Sequence, residues 1–136
     1  MSNRTDAVER ARERWNAGDL TGYLDLYAQE IRLHGYTPEP LGKVEVEGFY
    51  RSIFAAFDSP QLIFNDVLES GDSVTIRFTM TGTHVAEFMG VPSTGRKIAL
   101  PGITILRFEG DTVIERWSSA DMLGLLIQLG AVPAPS

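Results

Sequence analysis

Residues 61–84 read QLIFNDVLESGDSVTIRFTMTGTH, and this stretch decides the fold because apolar side chains recur at every second position along most of it. A period of two is typical of β-strands, and the Ser-Gly-Asp at residues 70–72 predicts the turn of a hairpin. Residues 97–120 show the same pattern on either side of Gly110 and Asp111, which predicts a second hairpin. We therefore expect an antiparallel sheet in the second half of the chain.

The first half of the chain carries apolar side chains at helical spacing instead. One stripe predicts a helix over residues 5–17, and Asp19 is placed to cap a second helix whose apolar face continues through Tyr27. A third helix is expected to end before Pro60, with a short strand at residues 31–36 between the second and third helices. Helices followed by an antiparallel sheet predict an α+β fold.

Composition excludes several classes of function. The 136 residues carry a net charge of -6 with a pI near 4.8, which argues against nucleic acid or an anionic membrane as the main partner. No apolar run reaches the roughly 20 residues of a membrane span, and the polar first residues do not resemble a signal peptide. The absence of cysteine excludes disulfides and thiolate sites, and it fits the reducing cytoplasm, which is the predicted location. We expect one domain over residues 1–136, with a loose tail at residues 131–136.

The alternation of side chains also predicts which residues face the interior. In the strand SVTIRFTMTGTH, one face carries Phe78 and Met80 and ends in His84, so His84 is expected to be buried at the end of a core row. In the last strand, Trp117 and Asp121 share one parity. If Trp117 is buried, we therefore expect the Asp121 carboxylate to point inward as well.

Three segments, FMGVPSTGRKI, GITILRFEGDTVIERW and DMLGLLIQLG, follow one another within residues 88–130. They resemble the SnoaL-like polyketide cyclases of the nuclear transport factor 2-like superfamily. The resemblance implies a cone-shaped α+β barrel, in which N-terminal helices pack on a curved, mostly antiparallel sheet around a deep apolar pocket. It also implies homodimers that associate through their sheets. In these cyclases the acid of the motif W-x-x-x-D-x-L-x-x-L is the catalytic acid–base residue, and Asp121 matches it.

Ring closure by such an enzyme is consistent with one acid in a dry pocket. An intramolecular aldol addition needs a proton removed from a carbon beside carbonyl groups and a proton returned to the new alkoxide. One carboxylate can do both when burial raises its pKa, and neither a metal nor a bound cofactor is required. A donor near the developing enolate would help, and His84, His34 or Trp117 could supply it. The residues expected to line the pocket around a polyketide-like substrate are Trp117, His34, Trp15, Tyr27, Tyr50, Phe78 and Met80.

Other interpretations remain open on the sequence alone. Asp121 immediately precedes an apolar helix, so it could be an N-cap and nothing more. The scaffold also occurs in cofactor-independent hydroxylases, and the chain could instead be a non-enzymatic module that binds small apolar ligands. Two histidines in separate elements make a poor metal site, and no glycine-rich phosphate loop or G-x-S-x-G motif is present. The Arg-x-Asp triplet of limonene epoxide hydrolases occurs only at residues 4–6, and Arg107 has the parity of the outer face.

Overall fold

The computed structural model describes residues 2–135, so Met1 and Ser136, the first residue of the expected domain and the last of the expected tail, lie outside the described residues. The elements follow the chain in the order α1 (Asn3–Asn16), α2 (Leu20–Leu24), β1 (Tyr27–His34), α3 (Lys43–Ala56), β2 (Phe57–Ser70), β3 (Ser73–His84), β4 (Lys97–Glu109), β5 (Thr112–Ala120) and α4 (Met122–Gln128). No helix in the described part of the chain is long and apolar enough to cross a membrane.

The strands form one sheet in the order β1-β5-β4-β3-β2. β1 runs parallel to β5, and the other neighbours are antiparallel. Both predicted hairpins are confirmed, with Gly71 and Gly110 at their turns in the positive-φ conformation that glycine adopts most readily. The sheet is curved and the helices pack against it, which confirms the predicted α+β class.

Capping and apolar stripes account for the helices. α1 begins where the Ser2 hydroxyl accepts a hydrogen bond from the Thr5 amide at 3.0 Å, and it buries Val8, Ala11 and Trp15 in the core. α3 buries one face in the same way and ends at Ala56, before Pro60 as predicted, although Phe57, which continues its apolar spacing, lies in β2. The first and third predicted helices are therefore confirmed.

Two elements differ from the sequence predictions because strand pairing overrides local spacing. The second helix ends at Leu24, and Tyr27 instead opens β1, where it pairs with Val113 of β5. The strand expected at residues 31–36 therefore starts at Tyr27 and ends at His34. β2 continues through Pro60, which an edge strand tolerates because its outer side needs no amide donor.

A β-bulge in β5 decides which side chains of the last strand face the core. Arg107 pairs with Glu115 while Phe108 pairs with Val113, so Ile114 is an extra residue opposite β4. One extra residue reverses the alternation of side chains beyond it. Val113 is buried before the bulge, but after it Arg116 is only 9% exposed whereas Trp117 is 39% exposed. The expectation that Trp117 faces inward is therefore wrong.

Candidate functional site

A cavity of about 200 Å³ lies between the helices and the inner face of the sheet. Because a single water needs about 15 Å³ by the same measure, this space suits an organic molecule. The walls are mainly apolar and come from all four helices and from β2, β3, β4 and β5. Four of the residues predicted to line a pocket do so: Trp15, Tyr50, Phe78 and Met80.

One charged side chain, Arg116, lines this cavity on its sheet side. The bulge at Ile114 turns Arg116 inward from β5, where its guanidinium is buried. Its Nε donates to the Thr104 hydroxyl at 2.8 Å and to the Ser118 hydroxyl at 3.0 Å. Thr104 lies in β4 and Ser118 in β5, so side chains of the sheet bind the Nε end of the guanidinium.

Tyrosine hydroxyls surround the other end of the guanidinium. Arg116 Nη1 donates to the hydroxyl oxygens of Tyr23 at 2.9 Å and Tyr50 at 3.2 Å, and it also donates to Tyr27. The hydroxyls bond to one another as a chain, with Tyr23 to Tyr27 at 3.1 Å, Tyr27 to Tyr50 at 2.7 Å and Tyr50 to Tyr36 at 2.7 Å. We call these four side chains the tyrosine chain. It joins α2, β1, α3 and the loop after β1 to one arginine of β5.

The charges in this cluster follow from its burial. Burial raises the pKa of Tyr27 and Tyr50 well above the ordinary value, although the Arg116 charge opposes the shift, so both hydroxyls stay neutral. Burial lowers the pKa of the Arg116 guanidinium, but the tyrosine oxygens raise it by more, so Arg116 stays protonated. Within residues 2–135, no carboxylate forms an ion pair with Arg116. The cluster therefore carries one uncompensated positive charge at the cavity wall.

Two of the aromatic residues predicted to bind substrate have further roles in the wall. Tyr27 lies behind the lining residues, where its hydroxyl joins Tyr23 and Tyr50. Trp15 lines the cavity, and its indole Nε1 is buried with no hydrogen-bond acceptor among the described residues.

Asp121 lies at the edge of the cavity rather than inside it. Its carboxylate accepts a hydrogen bond from the Gly124 amide at 2.8 Å, which is the geometry of an N-cap for α4. Its neighbours Ala120 and Met122 line the cavity, but Asp121 is exposed and does not. The expectation that the Asp121 carboxylate faces inward is wrong, because β5 ends at Ala120 and the capping bond turns the side chain along the helix.

His84 is buried as predicted, with 0% exposure, but it does not line the cavity. Its Nδ1 accepts a hydrogen bond from the Thr94 amide at 3.2 Å and lies 2.9 Å from the Thr94 hydroxyl. Its ring packs on Phe57 at a centroid distance of 5.4 Å. These contacts attach the loop after β3 to the core. Because His84 is not among the residues that line the cavity, the expectation that it contacts a molecule there is wrong.

His34 and Trp117 lie on the outer face of the sheet, so the expectation that they line the pocket is wrong. The register pairs His34 of β1 with Trp117 of β5, and their rings stack at a centroid distance of 5.4 Å. His34 Nε2 lies 2.7 Å from one Glu115 oxygen, and Arg107 donates to the other at 2.7 Å. The hydrogen bonds from Arg107 and His34 lower the pKa of Glu115. Arg107 is therefore on the outer face, as its parity predicts.

The sequence predictions missed the polar cluster that lines the cavity. Arg116, Tyr36 and Thr104 were not predicted as site residues, although Tyr27 and Tyr50 were. A signal was nevertheless present, because several tyrosines on inward-facing stripes bring hydroxyl groups that need buried partners.

The described residues contain no group of three or more histidine, aspartate or glutamate side chains arranged to hold a metal ion.

Comparison with known proteins finds similarity over nearly the whole chain. A family model described as SnoaL-like polyketide cyclase matches residues 5–129. Aklanonic acid methyl ester cyclase DnrD from Streptomyces peucetius is 26% identical over 137 residues, which cover 96% of this chain and 92% of DnrD. DauD from Streptomyces sp. (strain C5), which has the same enzyme name, is also 26% identical, over 96% of this chain and 83% of its own length.

Solved structures give the same result for the fold. AclR from Streptomyces galilaeus, named as a candidate hydroxylase, superposes with a TM-score of 0.90 and is 28% identical over 98% of this chain and 84% of AclR. IdmH from Streptomyces antibioticus, named as a candidate polyketide cyclase, superposes with a TM-score of 0.81 and is 29% identical over 93% of this chain and 98% of IdmH.

Proposed function

Because the chain belongs to the SnoaL-like polyketide cyclase family, we propose that it closes a ring in a polyketide-like substrate held in the cavity. The observation that carries this proposal is an apolar cavity whose one charged side chain among residues 2–135, Arg116, is joined to the tyrosine chain. Apolar walls suit the carbon skeleton of a polyketide, and the polar wall suits its carbonyl oxygens. DnrD and DauD are named for aklanonic acid methyl ester, so this ester is the first substrate to test.

The proposed reaction is an intramolecular aldol addition. A base removes a proton from a carbon between two carbonyl groups, and the resulting enolate carbon attacks a ketone carbon of the same molecule. A carbon–carbon bond forms, the carbonyl π electrons become an alkoxide, and the alkoxide takes up a proton, so the product is an isomer of the substrate. The cavity contributes by holding a flexible chain with its reacting carbons close together.

We propose Asp121 as the acid–base residue, on the strength of its match to the family motif. The support from geometry is its place at the cavity edge, since Ala120 and Met122 on either side both line the cavity. The reacting carbon would then lie at this edge, while the substrate oxygens would lie toward Arg116. The carboxylate would exchange its bond to the Gly124 amide for one to the substrate.

The test compares two aspartates with the same structural role. Asp121 and Asp19 both cap a helix by accepting from a glycine amide three residues later, at 2.8 Å and 2.9 Å. Asparagine caps helices about as well as aspartate but cannot act as a base. We expect Asp121→Asn to fold normally and to lose turnover of aklanonic acid methyl ester by roughly 10²–10⁴-fold, whereas Asp19→Asn keeps it.

Turnover is measured by chromatography of a product that has the same mass as the substrate. Full activity in a folded Asp121→Asn variant would leave Asp121 as a helix cap only. Absence of turnover in the wild-type protein, with this ester and with related methyl esters, would refute the cyclase proposal.

Two other functions have specific support. The similarity to AclR favours a hydroxylase on the same scaffold, for which the readout is a product that gains one oxygen atom and a matching consumption of O₂. The exposed position of Asp121 favours a module that binds small apolar ligands without converting them. Tight binding of the ester with no new product would identify the second of these functions.

We also propose that two copies associate through the outer face of the sheet. Ile103 is 52% exposed, Ile105 is 40% exposed, and Trp117 lies beside them on this face. Adjacent apolar side chains on a sheet face are typical of association surfaces, and Arg107 and Glu115 would make the interface mixed in polarity.

We retain the cytoplasm as the predicted location and one domain over residues 1–136 as the predicted organisation.

A further inference from the structure

The buried guanidinium of Arg116 has more donors than the protein uses. An arginine side chain has five N–H groups. Nε is taken by Thr104 and Ser118, and Nη1 by the tyrosine oxygens. Nη2 makes no hydrogen bond to any of residues 2–135, and the Arg116 side chain lines the cavity. The two N–H groups of Nη2 are therefore available to a ligand.

The tyrosine chain also has one more hydroxyl proton than its internal hydrogen bonds use. Its four hydroxyls carry one proton each, and three hydrogen bonds join them. None of the four hydroxyls bonds to an acceptor outside the chain among the described residues. One hydroxyl proton is consequently left without an acceptor. Tyr23 and Tyr36, at the two ends of the chain, both line the cavity.

Charge and hydrogen bonding therefore favour the same kind of ligand. The cluster has spare donors, a positive charge and no carboxylate to balance it within the described residues. A buried cation without an opposite charge is costly, and a negatively charged oxygen would offset that cost.

We propose that Arg116 and the tyrosine chain form a binding site for an anionic oxygen, which selects ligands that carry an acidic hydroxyl or enol on an apolar ring system. The ligand places this oxygen against Nη2 of Arg116 and its rings against the apolar walls. The site would bind the phenolate or enolate form of an aromatic or β-dicarbonyl molecule. This inference rests on the proposed function only in taking the cavity as the substrate site.

The experiment uses three probes that share one ring system and differ in their oxygen: 2-naphthol, 2-naphthoate and 2-methoxynaphthalene. We expect 2-naphthol bound to the wild-type protein to show the absorbance of naphtholate at pH values where free 2-naphthol is neutral. Charge-assisted hydrogen bonds correspond to a preference for the anion on the order of 10- to 100-fold over the neutral methoxy probe. The naphthoate arm distinguishes a site for any anionic oxygen from one that requires a phenolate.

Variants separate the charge of the site from its structure. Arg116→Met should abolish the naphtholate absorbance and the preference for the anion while 2-methoxynaphthalene still binds. Arg51→Met removes the same charge from the exposed face of α3, away from the cavity, and should behave like the wild type. Tyr36→Phe removes one hydroxyl from the end of the chain and should weaken naphtholate binding several-fold. If Arg116→Met does not fold, the binding of naphtholate to Tyr36→Phe and the absorbance of the wild-type complex still test the inference.

Bound 2-naphthol that remains neutral over the same pH range would overturn the inference, and so would failure of all three probes to bind at millimolar concentration. The outcome is separable from that of the proposed function. Selective binding of the anion without any turnover would support the anion site and refute the cyclase. Turnover of the ester by a protein without any preference for the anion would support the cyclase and refute the anion site.

Discussion

Replacing Tyr50 by phenylalanine removes one of the two hydroxyls of the tyrosine chain that have three hydrogen-bond partners, while keeping the ring that packs in the core. The Tyr50 hydroxyl lies 2.7 Å from that of Tyr27, 2.7 Å from that of Tyr36 and 3.2 Å from Arg116 Nη1. A neutral hydrogen bond contributes about 0.5–1.5 kcal/mol net, and a buried group left without its partner costs about 1–3 kcal/mol. We therefore expect Tyr50→Phe to lower the free energy of unfolding by roughly 2–4 kcal/mol.

The matched control is Tyr36→Phe, because the Tyr36 hydroxyl has only one bond in the cluster, to Tyr50. Its loss should be about 0.5–1.5 kcal/mol. Both variants are compared by urea unfolding, followed by circular dichroism, at constant pH. With a slope of about 2 kcal/mol per molar urea, the Tyr50 variant should shift the midpoint by roughly 1–2 M and the Tyr36 variant by roughly 0.3–0.8 M.

Equal losses in the two variants would refute the reasoning, because the effect would then not follow the number of bonds removed. Unchanged stability in Tyr50→Phe would refute it as well, since the tyrosine chain would then contribute nothing to the fold. A change in slope without a change in midpoint would indicate an effect on the compactness of the unfolded or folded chain rather than a lost hydrogen bond.

Three further outcomes follow from the same contacts. Because burial raises the pKa of Tyr27 and Tyr50 above the ordinary value of 10.0, their contribution to stability is complete below pH 10 and should be lost as the pH rises above it, at up to about 1.4 kcal/mol per pH unit for each tyrosine. Urea unfolding between pH 8 and about 11 checks this, and a flat profile would contradict it. Gly35→Ala should destabilise the fold by more than about 2 kcal/mol, because a Cβ there would lie 1.9 Å from the Ser118 carbonyl oxygen at a φ of +95°; a variant with wild-type stability would show that the loop can shift. Light scattering at micromolar concentration should give a dimer for the wild type and a monomer for Ile105→Glu, and a monomeric wild type would rule out the proposed association.

The apolar spacing and turn chemistry of the sequence were sufficient to predict most of the fold. The period of two in β3 and β4, together with glycines at both turns, predicted the hairpins that the structure contains. Both signals are local, since they depend on residues within a few positions of one another. The start of β1 at Tyr27 was not predictable in this way, because it depends on parallel pairing with a strand about 90 residues later in the chain.

Only the part of the cavity lining that lies on regular helices and strands was predictable from the sequence. Trp15 and Tyr50 on their helical stripes, and Phe78 and Met80 on β3, were assigned to the pocket from spacing, and they line it. Regular helices and strands keep their periodicity, so inward positions can be counted along them. The family motif drew attention to Asp121, but its capping bond to Gly124 is the contact that sets its orientation.

Local spacing was enough to place most of the elements, both hairpins and part of the apolar lining, whereas strand pairing and packing determine which charged residue enters the cavity. Arg116 and Trp117 are adjacent, and a strand that alternates without interruption would have buried Trp117. The extra residue Ile114 reverses the alternation, and its position depends on how β5 pairs with β4. The tyrosine chain that receives Arg116 comes from separate elements. Arg116 faces inward because the bulge turns it toward the helices, where the tyrosine hydroxyls accept from its Nη1, and these contacts exist only once the sheet and the helices have come together.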